Sequence, residues 1–303
     1  MTRPLKIGVQ LPEVERVVRW TELREMAELA ERIGLDSVWV GDHLLYRDDG
    51  KPNRGPWEAW SLLAALAAAT ERVEIGPLVA ATSFHSPAML AKKAATVEEI
   101  SGGRLILGLG AGWNRADYDA FGFPYDHRVS RFEEAFTIIR ELLRTGRSDF
   151  AGAYYRLDRG ELLPRGPREQ GPPLMVGSMG ERMLAITLPH VDAWNAWGPW
   201  FGNTVEGYEA LHATIDDACR TAGRDPATLE RTVALIVAMP GALGRGSSVS
   251  EEAFEPIQGG AETLAPTLRA FADAGVSHVQ LVLDPITLDS IAALAPTLAA
   301  LDG

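Results

Sequence analysis

Residues 73–114 read VEIGPLVAATSFHSPAMLAKKAATVEEISGGRLILGLGAGWN, and this stretch decides the fold. Val73, Ile75, Leu78 and Val79 form a short apolar run, the pattern of a strand buried on both faces. Ser86-Pro87 then supplies an N-cap and a first-turn proline, and a helix is expected to run to Ile100. Gly102-Gly103 ends it, because glycine takes the left-handed conformation of a helix stop without a Cβ clash. A second apolar strand, 104–109, follows at once. Strand, helix and strand in succession make a βαβ unit, which brings two parallel strands side by side.

The same alternation extends in both directions. Strands are predicted at 6–11, 37–40, 73–79, 104–109, 173–177, 192–195, 232–238 and 277–283, most of them near-continuous Val, Ile and Leu. Helical stripes fill the gaps. Trp20, Leu23, Met26, Ala27, Ala30 and Ile33 precede Gly34, and Leu211, Ile215, Ala218 and Ala222 precede Gly223. Leu264, Leu268 and Phe271 precede Gly275. Ser130-Arg131-Phe132-Glu133 has capping-box spacing ahead of the stripe Phe132, Phe136, Ile139 and Leu143. Eight strand–helix repeats predict an α/β protein, a (βα)8 TIM barrel formed as one domain over 1–303. Two connections are longer than usual and read as insertions after strands 2 and 4, at 44–57 and 113–168. The second is expected to hold one helix and a hairpin-like piece around 150–157.

Composition narrows the classes of function. Among 303 residues, 29 Lys+Arg against 41 Asp+Glu leave a net charge of -12, which repels a phosphate backbone and argues against a nucleic-acid partner. No apolar run approaches the roughly 20 residues of a membrane helix. The first residues lack the apolar core of a signal peptide, so the expected location is the cytoplasm. The lone Cys219 excludes an internal disulfide and a cysteine metal cluster. His85, His127, His190, His212 and His278 show no metal-ligand spacing, and neither a P-loop nor a GxSxG elbow is present.

In a barrel, chemistry gathers where the strands end. The second strand ends in Gly41-Asp42-His43, where His43 reads either as an acid–base group oriented by Asp42 or as a loop residue bonded to backbone. The fourth runs into Gly108-Leu109-Gly110-Ala111-Gly112-Trp113-Asn114. Its glycines either admit a flat ring close to the backbone, with Asn114 as its amide partner, or relieve crowding inside the barrel. After the fifth, Gly177-Ser178-Met179-Gly180 opens a short helix and reads as a phosphate seat or a plain turn. Trp194, Trp197 and Trp200, with Phe201 and Trp113, line an apolar pocket or pack as core.

The segments ERVEIGPLVAATSFHSP at 71–87 and LAKKAATVEEISGGRLILGLGAGW at 90–113 closely resemble the luciferase-like flavin and deazaflavin oxidoreductases. The resemblance continues through Asp119-Ala120-Phe121-Gly122, the Gly177–Gly180 turn and Asp192-Ala193-Trp194-Asn195, and is weakest after Pro199. It implies a TIM barrel holding one coenzyme, F420 or FMN, at the strand ends. It implies a non-proline cis peptide at Leu78–Val79, so that Leu78, Val79 and Ala80 support the back of the coenzyme ring. It places Asn114 at the coenzyme, its phosphate on Gly177, Ser178, Met179 and Gly180, and Asp42 and His43 beside the reactive ring edge. It also implies a homodimer.

Two activities follow from that resemblance. The first is an F420-dependent oxidoreductase passing a hydride between the deazaflavin and a small organic substrate, with His43 moving the proton and Asp42 fixing its tautomer. The alternative is an FMN-dependent monooxygenase that uses reduced flavin and O2 and a partner flavin reductase. The longer acidic tail of a deazaflavin calls for a basic groove, for which Lys51, Arg54 and Arg182 are candidates. The sugar-phosphate dehydrogenase branch has an acidic residue where this chain has Ala111, which argues against glucose 6-phosphate. A non-catalytic flavin-binding role is the third reading, and intact Asp42, His43 and Asn114 count against it.

Overall fold

The structure is a computed structural model and describes residues 3–47, 50–243 and 254–303. The chain opens with β1 (Lys6–Gln10), α1 (Trp20–Arg32), β2 (Ser37–Val40) and α2 (Ala59–Ala69). β3 (Glu74–Pro77) and β4 (Ala80–Ala81) are separated by a two-residue break, and α3 (Pro87–Ile100) and β5 (Leu107–Gly110) follow. The long connection after β5 holds α4 (Arg115–Phe121), α5 (Arg128–Thr145), β6 (Arg147–Ala151) and β7 (Arg156–Glu161). Then come β8 (Leu174–Val176), α6 (Glu181–Thr187), β9 (Ala193–Trp197), α7 (Val205–Thr221), β10 (Glu230–Ala238) and β11 (Ile257–Gln258). The chain closes with α8 (Ala261–Asp273), β12 (His278–Asp284), α9 (Leu288–Ala292) and α10 (Ala295–Asp302). No helix among the described residues is long and apolar enough to cross a membrane.

Two compact units share these elements, one made of the chain up to Trp39 together with Thr187–Gly303, the other of Val40–Ile186. In the first, β1 pairs in parallel with β2 and β12, and β10 with β12 and β9. Ile7 lies opposite Val279 and Val9 opposite Leu281, and all four side chains are fully buried. Between them Gly8 leaves room that a side chain would fill, since a Cβ there would stand 1.9 Å from Ser37 Oγ. Ser37 Oγ accepts from Trp39 Nε1 at 2.7 Å and is hydrogen-bonded to His278 Nε2, also at 2.7 Å. Burial, with Lys6 as a lesser cause, pushes the His278 imidazole down to about 3.

In the second unit, β5 pairs in parallel with β4 and β8, and Ile75 bridges to Leu105. β6 and β7 form an antiparallel hairpin, matching the expected hairpin around 150–157. Helices α3 and α5 pack together, burying Leu90, Ala91 and Ala94 of one and Phe132, Phe136 and Ile139 of the other.

Two expectations are corrected here. The second insertion has two helices rather than one. The additional helix, α4, has only 7 residues, too few for a stripe to show, and it is held by its ends: Asn114 caps it and Gly122 stops it in the left-handed conformation. The capping box at Ser130 does not exist, because α5 starts earlier, at Arg128 after His127. Ser130 and Glu133 share a helix face instead, and both receive the Arg182 guanidinium, at 3.0 and 2.7 Å.

Candidate active site

Four chain segments that leave strand ends in the Val40–Ile186 unit carry the candidate residues: 41–43 after β2, 78–79 between β3 and β4, 110–114 after β5 and 177–180 after β8. The Leu78–Val79 peptide is cis, at the bond the resemblance implies. Both residues are half-buried. Ala80, expected at the coenzyme with them, is fully buried and pairs with Leu109, so it belongs to the sheet.

The glycines of the β5 segment answer to this bulge. A Cβ on Gly110 would stand 2.9 Å from Val79 Cγ2, and one on Gly108 would stand 2.9 Å from Val79 Cγ1 and 2.4 Å from the Pro77 carbonyl oxygen. A Cβ on Gly177 would lie 3.4 Å from the same valine. The run GLGAG at 108–112 therefore makes room for a protein side chain, Val79, which supports the reading of these glycines as crowding relief. Gly112 has a positive φ of 75° and lies under Tyr118, whose hydroxyl a Cβ would meet at 2.3 Å.

The backbone carbonyls of Gly110, Ala111 and Gly112 each accept from a side chain. Thr82 Oγ1 donates to Gly110 O and Ser83 Oγ to Ala111 O, both at 3.3 Å. Tyr118 Oη donates to Ala111 O at 2.6 Å, and Arg128 Nη1 to Gly112 O at 2.7 Å. Burial pushes the Tyr118 phenol up, outweighing the Ser83 hydrogen bond and the Arg128 charge. The carbonyls of Gly110, Ala111 and Gly112 are thus held by the turn Thr82–Phe84, α4 and α5.

Asp42 and His43 both stand where expected, but they do not form a pair with each other. His43 Nδ1 lies 2.8 Å from Asp117 Oδ2, on α4. Asp117 is fully buried, and its other oxygen accepts from the Leu44 and Leu45 N–H groups at 3.0 and 2.7 Å. An acceptor so placed keeps the hydrogen on Nδ1, so in the neutral ring Nε2 carries none. Asp42 turns to the bulge strand instead, where Oδ2 accepts from the Ala81 N–H at 2.9 Å and stands 3.1 Å from His85 Nε2. The assignment of Asp42 as the group that sets the His43 tautomer is therefore corrected to Asp117. Sequence reading missed it because Asp117 lies 74 positions from His43, and the fold brings them together through α4. The available signal was an Asn followed three residues later by an acid.

Around His43 the walls are aromatic: the Tyr46 ring centroid is 4.9 Å away and that of Trp113 is 5.4 Å away, edge-on. Arg54 lies over the far ring of Tyr46 at 5.5 Å. Asn114, expected as an amide partner for a ring, uses its amide as a tie. Its Oδ1 accepts from Ala116 N–H at 3.3 Å and its Nδ2 donates to Leu45 O at 2.9 Å. Asn114 thereby couples the start of α4, which carries Asp117, to the loop that carries His43.

After β8, Gly177 and Ser178 are half-buried and Met179 and Gly180 exposed. The space beside Gly180 is open, and Ser178 Oγ accepts from its N–H at 3.3 Å. Of the basic residues expected near an acidic tail, Arg182 is bound to Ser130 and Glu133 and Arg54 is stacked on Tyr46. In the tryptophan group, Trp194 is fully buried, and Phe201 packs with Tyr208 and Phe271 at 5.8 and 6.2 Å, so these two are core.

Comparison with known proteins gives this site a context. Residues 6–277 match the model of a family described as luciferase-like monooxygenase. An F420-dependent glucose-6-phosphate dehydrogenase of Amycolatopsis mediterranei is 38% identical over 217 residues, 66% of this chain and 63% of that protein. A 5,10-methylenetetrahydromethanopterin reductase of Archaeoglobus fulgidus is 30% identical over 60% of this chain and 50% of its own length. A pyrimidine monooxygenase RutA of Caulobacter is 33% identical over 56% and 48%. The chain thus spans about half to somewhat under two thirds of these relatives. Among solved structures, an F420-dependent secondary alcohol dehydrogenase in complex with an F420-acetone adduct superposes with a TM-score of 0.79, 22% identity and 99% coverage of both chains. A riboflavin lyase with modified FMN and riboflavin gives 0.81 at 15% identity, over 98% of this chain and 91% of that one. At such identities the likeness is one of fold, and the fold is the (βα)8 TIM barrel.

Proposed function

As the chain belongs to the luciferase-like monooxygenase family, an enzyme family of oxidoreductases, we propose that it is an F420-dependent oxidoreductase acting on a small organic alcohol or carbonyl compound. The observation that carries this reading is the His43–Asp117 pair, a single oriented acid–base group set between Tyr46 and Trp113. An alcohol losing a hydride from carbon must also lose its hydroxyl proton, and one histidine suffices for that.

The residues present fit such a coenzyme. Leu78 and Val79 offer a half-buried apolar bulge for the back of a flat ring, and the open turn Gly177–Gly180 offers backbone N–H groups and Ser178 to a phosphate. When bound, F420 supplies the hydride acceptor or donor. His43 Nε2 takes the hydroxyl proton as the substrate becomes a carbonyl compound and returns it in the reverse direction. Asp117 steadies the ring and favours the imidazolium that this creates. Tyr46 and Trp113 offer aromatic surface against which an apolar substrate is oriented. Ala111 stands where the resemblance gives the sugar-phosphate dehydrogenase branch an acidic residue, which supports a substrate other than glucose 6-phosphate.

A second reading is an FMN-dependent monooxygenase served by a flavin reductase, favoured by the likeness to RutA. The homodimer and the single-domain organisation implied by the sequence belong to both readings. Anaerobic mixing of the protein with F420 and a panel of alcohols separates the two. Bleaching of the oxidised F420 band by at least one alcohol, abolished in His43→Gln, is expected. Turnover only with reduced FMN and O2 would replace the first reading by the second.

A further inference from the structure

The bulge is tied to the end of β2 on both of its sides. The Leu78 N–H donates to Val40 O at 2.8 Å, and the Ala81 N–H donates to Asp42 Oδ2 at 2.9 Å. The second tie depends on a side chain, because a carboxylate on a rotatable stem holds a backbone group in place only if it is itself held. His85 holds it. Its Nε2 stands 3.1 Å from the same Asp42 oxygen, in a place where the Asp42 side chain is 2% exposed and that of His85 9%.

The hydrogen on His85 is assigned by the group behind it. Lys93 Nζ, on α3, lies 3.4 Å from His85 Nδ1. An ammonium only donates, so Nδ1 accepts and the imidazole hydrogen lies on Nε2, directed at Asp42. Trp60 closes the remaining side of the ring edge-on, with centroids 6.3 Å apart. Lys93 also faces Glu58, the cap of α2, whose carboxyl is held below the usual range: burial raises it, and the Ser61 and Trp60 N–H groups and Lys93 together outweigh that. The row Lys93–His85–Asp42–Ala81 therefore runs from a half-buried cation to the peptide that follows the bulge.

We propose that His85 is a positioning residue for the coenzyme seat: through Asp42 it fixes the Ala81 peptide and with it the bulge against which the coenzyme ring rests. This rests on the reading of the bulge as that seat. It assigns the two histidines of the site different work. His43 moves a proton and leaves coenzyme affinity alone, whereas His85 sets coenzyme affinity and leaves the proton step alone.

The test compares His85→Leu, which removes the donor, with His85→Gln, whose amide restores one at the same distance from the backbone, and with Lys93→Met. In the coenzyme-free protein, exchange of the Ala81 amide hydrogen is followed by NMR, with the Val279 amide reporting on global unfolding. Loss of a hydrogen bond to a charged group predicts exchange at Ala81 about tenfold faster in His85→Leu, near wild type in His85→Gln, and between the two in Lys93→Met, with Val279 unchanged. Titration with FMN and with F420 in parallel should show the affinity of whichever coenzyme binds falling about tenfold in His85→Leu and recovering in His85→Gln. Unchanged exchange at Ala81 in His85→Leu, or faster exchange with unchanged coenzyme affinity, would overturn the proposal. If the wild type bound neither coenzyme, the functional reading would fail on its own, and the Ala81 exchange would still decide whether His85 positions the peptide.

Discussion

Asp117 holds His43 Nδ1 at 2.8 Å with one oxygen and the backbone of the loop carrying His43 with the other, at Leu44 and Leu45. One buried carboxylate thus fixes both the tautomer of the ring and the loop that presents it. Asp117→Asn keeps the shape but offers an amide that can present N–H where the carboxylate only accepts. Turnover should fall by roughly a hundredfold or more, with coenzyme affinity unchanged. The double variant His43→Gln/Asp117→Asn should be no slower than His43→Gln alone, since the two act as a unit. Additive losses in steady-state kinetics would show that Asp117 has a separate role.

The glycines of β5 face Val79, and the geometry distinguishes them. At Gly110 a Cβ meets only the end of the Val79 side chain closely, whereas at Gly108 it also meets the Pro77 carbonyl oxygen. Gly110→Ala should cost about 1–3 kcal/mol in urea unfolding, and adding Val79→Ala should restore much of the loss. Val79→Ala should not rescue Gly108→Ala. Equal rescue of both variants would mean that the Pro77 contact is not limiting.

His278 is buried and neutral, with its pKa pushed from 6.5 to about 3. In the unfolded chain it protonates near its ordinary value, so stability is fully present above that value and lost as pH falls towards about 3. The loss approaches about 1.4 kcal/mol for each pH unit within that window. His278→Gln should be less stable than wild type near neutrality yet lose stability less steeply between about pH 6 and 4, inside the range from 6.5 to about 3, in urea titrations of the two proteins. Parallel slopes would show that the folded protein accommodates the imidazolium.

Glu98 on α3 is fully buried, accepts from the Leu105 N–H at 3.2 Å, and forms an ion pair with Arg168, one of whose nitrogens lies 2.7 Å away. Arg168→Met leaves that carboxylate without its cation and should destabilise by roughly 3 kcal/mol, somewhat reduced because Arg168 is partly exposed. The double variant Glu98→Gln/Arg168→Met should lose less than Arg168→Met alone. A chemical-denaturation series over the three variants checks this, and a more damaged double variant would contradict it.

The order of strands and helices was legible from residue patterns because parallel strands and their covering helices advertise themselves locally. The helix stop at Gly102-Gly103 and the apolar run before Gly108 each need only their own neighbours. The bulge is legible only by resemblance, because its physical signature, glycines on the neighbouring strand opposite Val79, suits room for a ring as well as relief of crowding. Asp117 was missed for a different reason. Asp42 is adjacent to His43 in sequence, but successive residues leaving a strand point in different directions, so adjacency does not make them partners. Their partners came from elements 74 and 43 residues away, α4 and the turn before α3. His85 lacks metal-ligand spacing, and that pattern is blind to a histidine placed against a carboxylate.

The most direct test of the central claim is a parallel titration of the coenzyme-free protein with F420 and FMN, followed by fluorescence quenching. The account predicts preferential binding of F420, retained in His43→Gln and weakened in His85→Leu. Preferential binding of FMN, with no measurable affinity for F420, would contradict it and assign the site to oxygen-dependent chemistry.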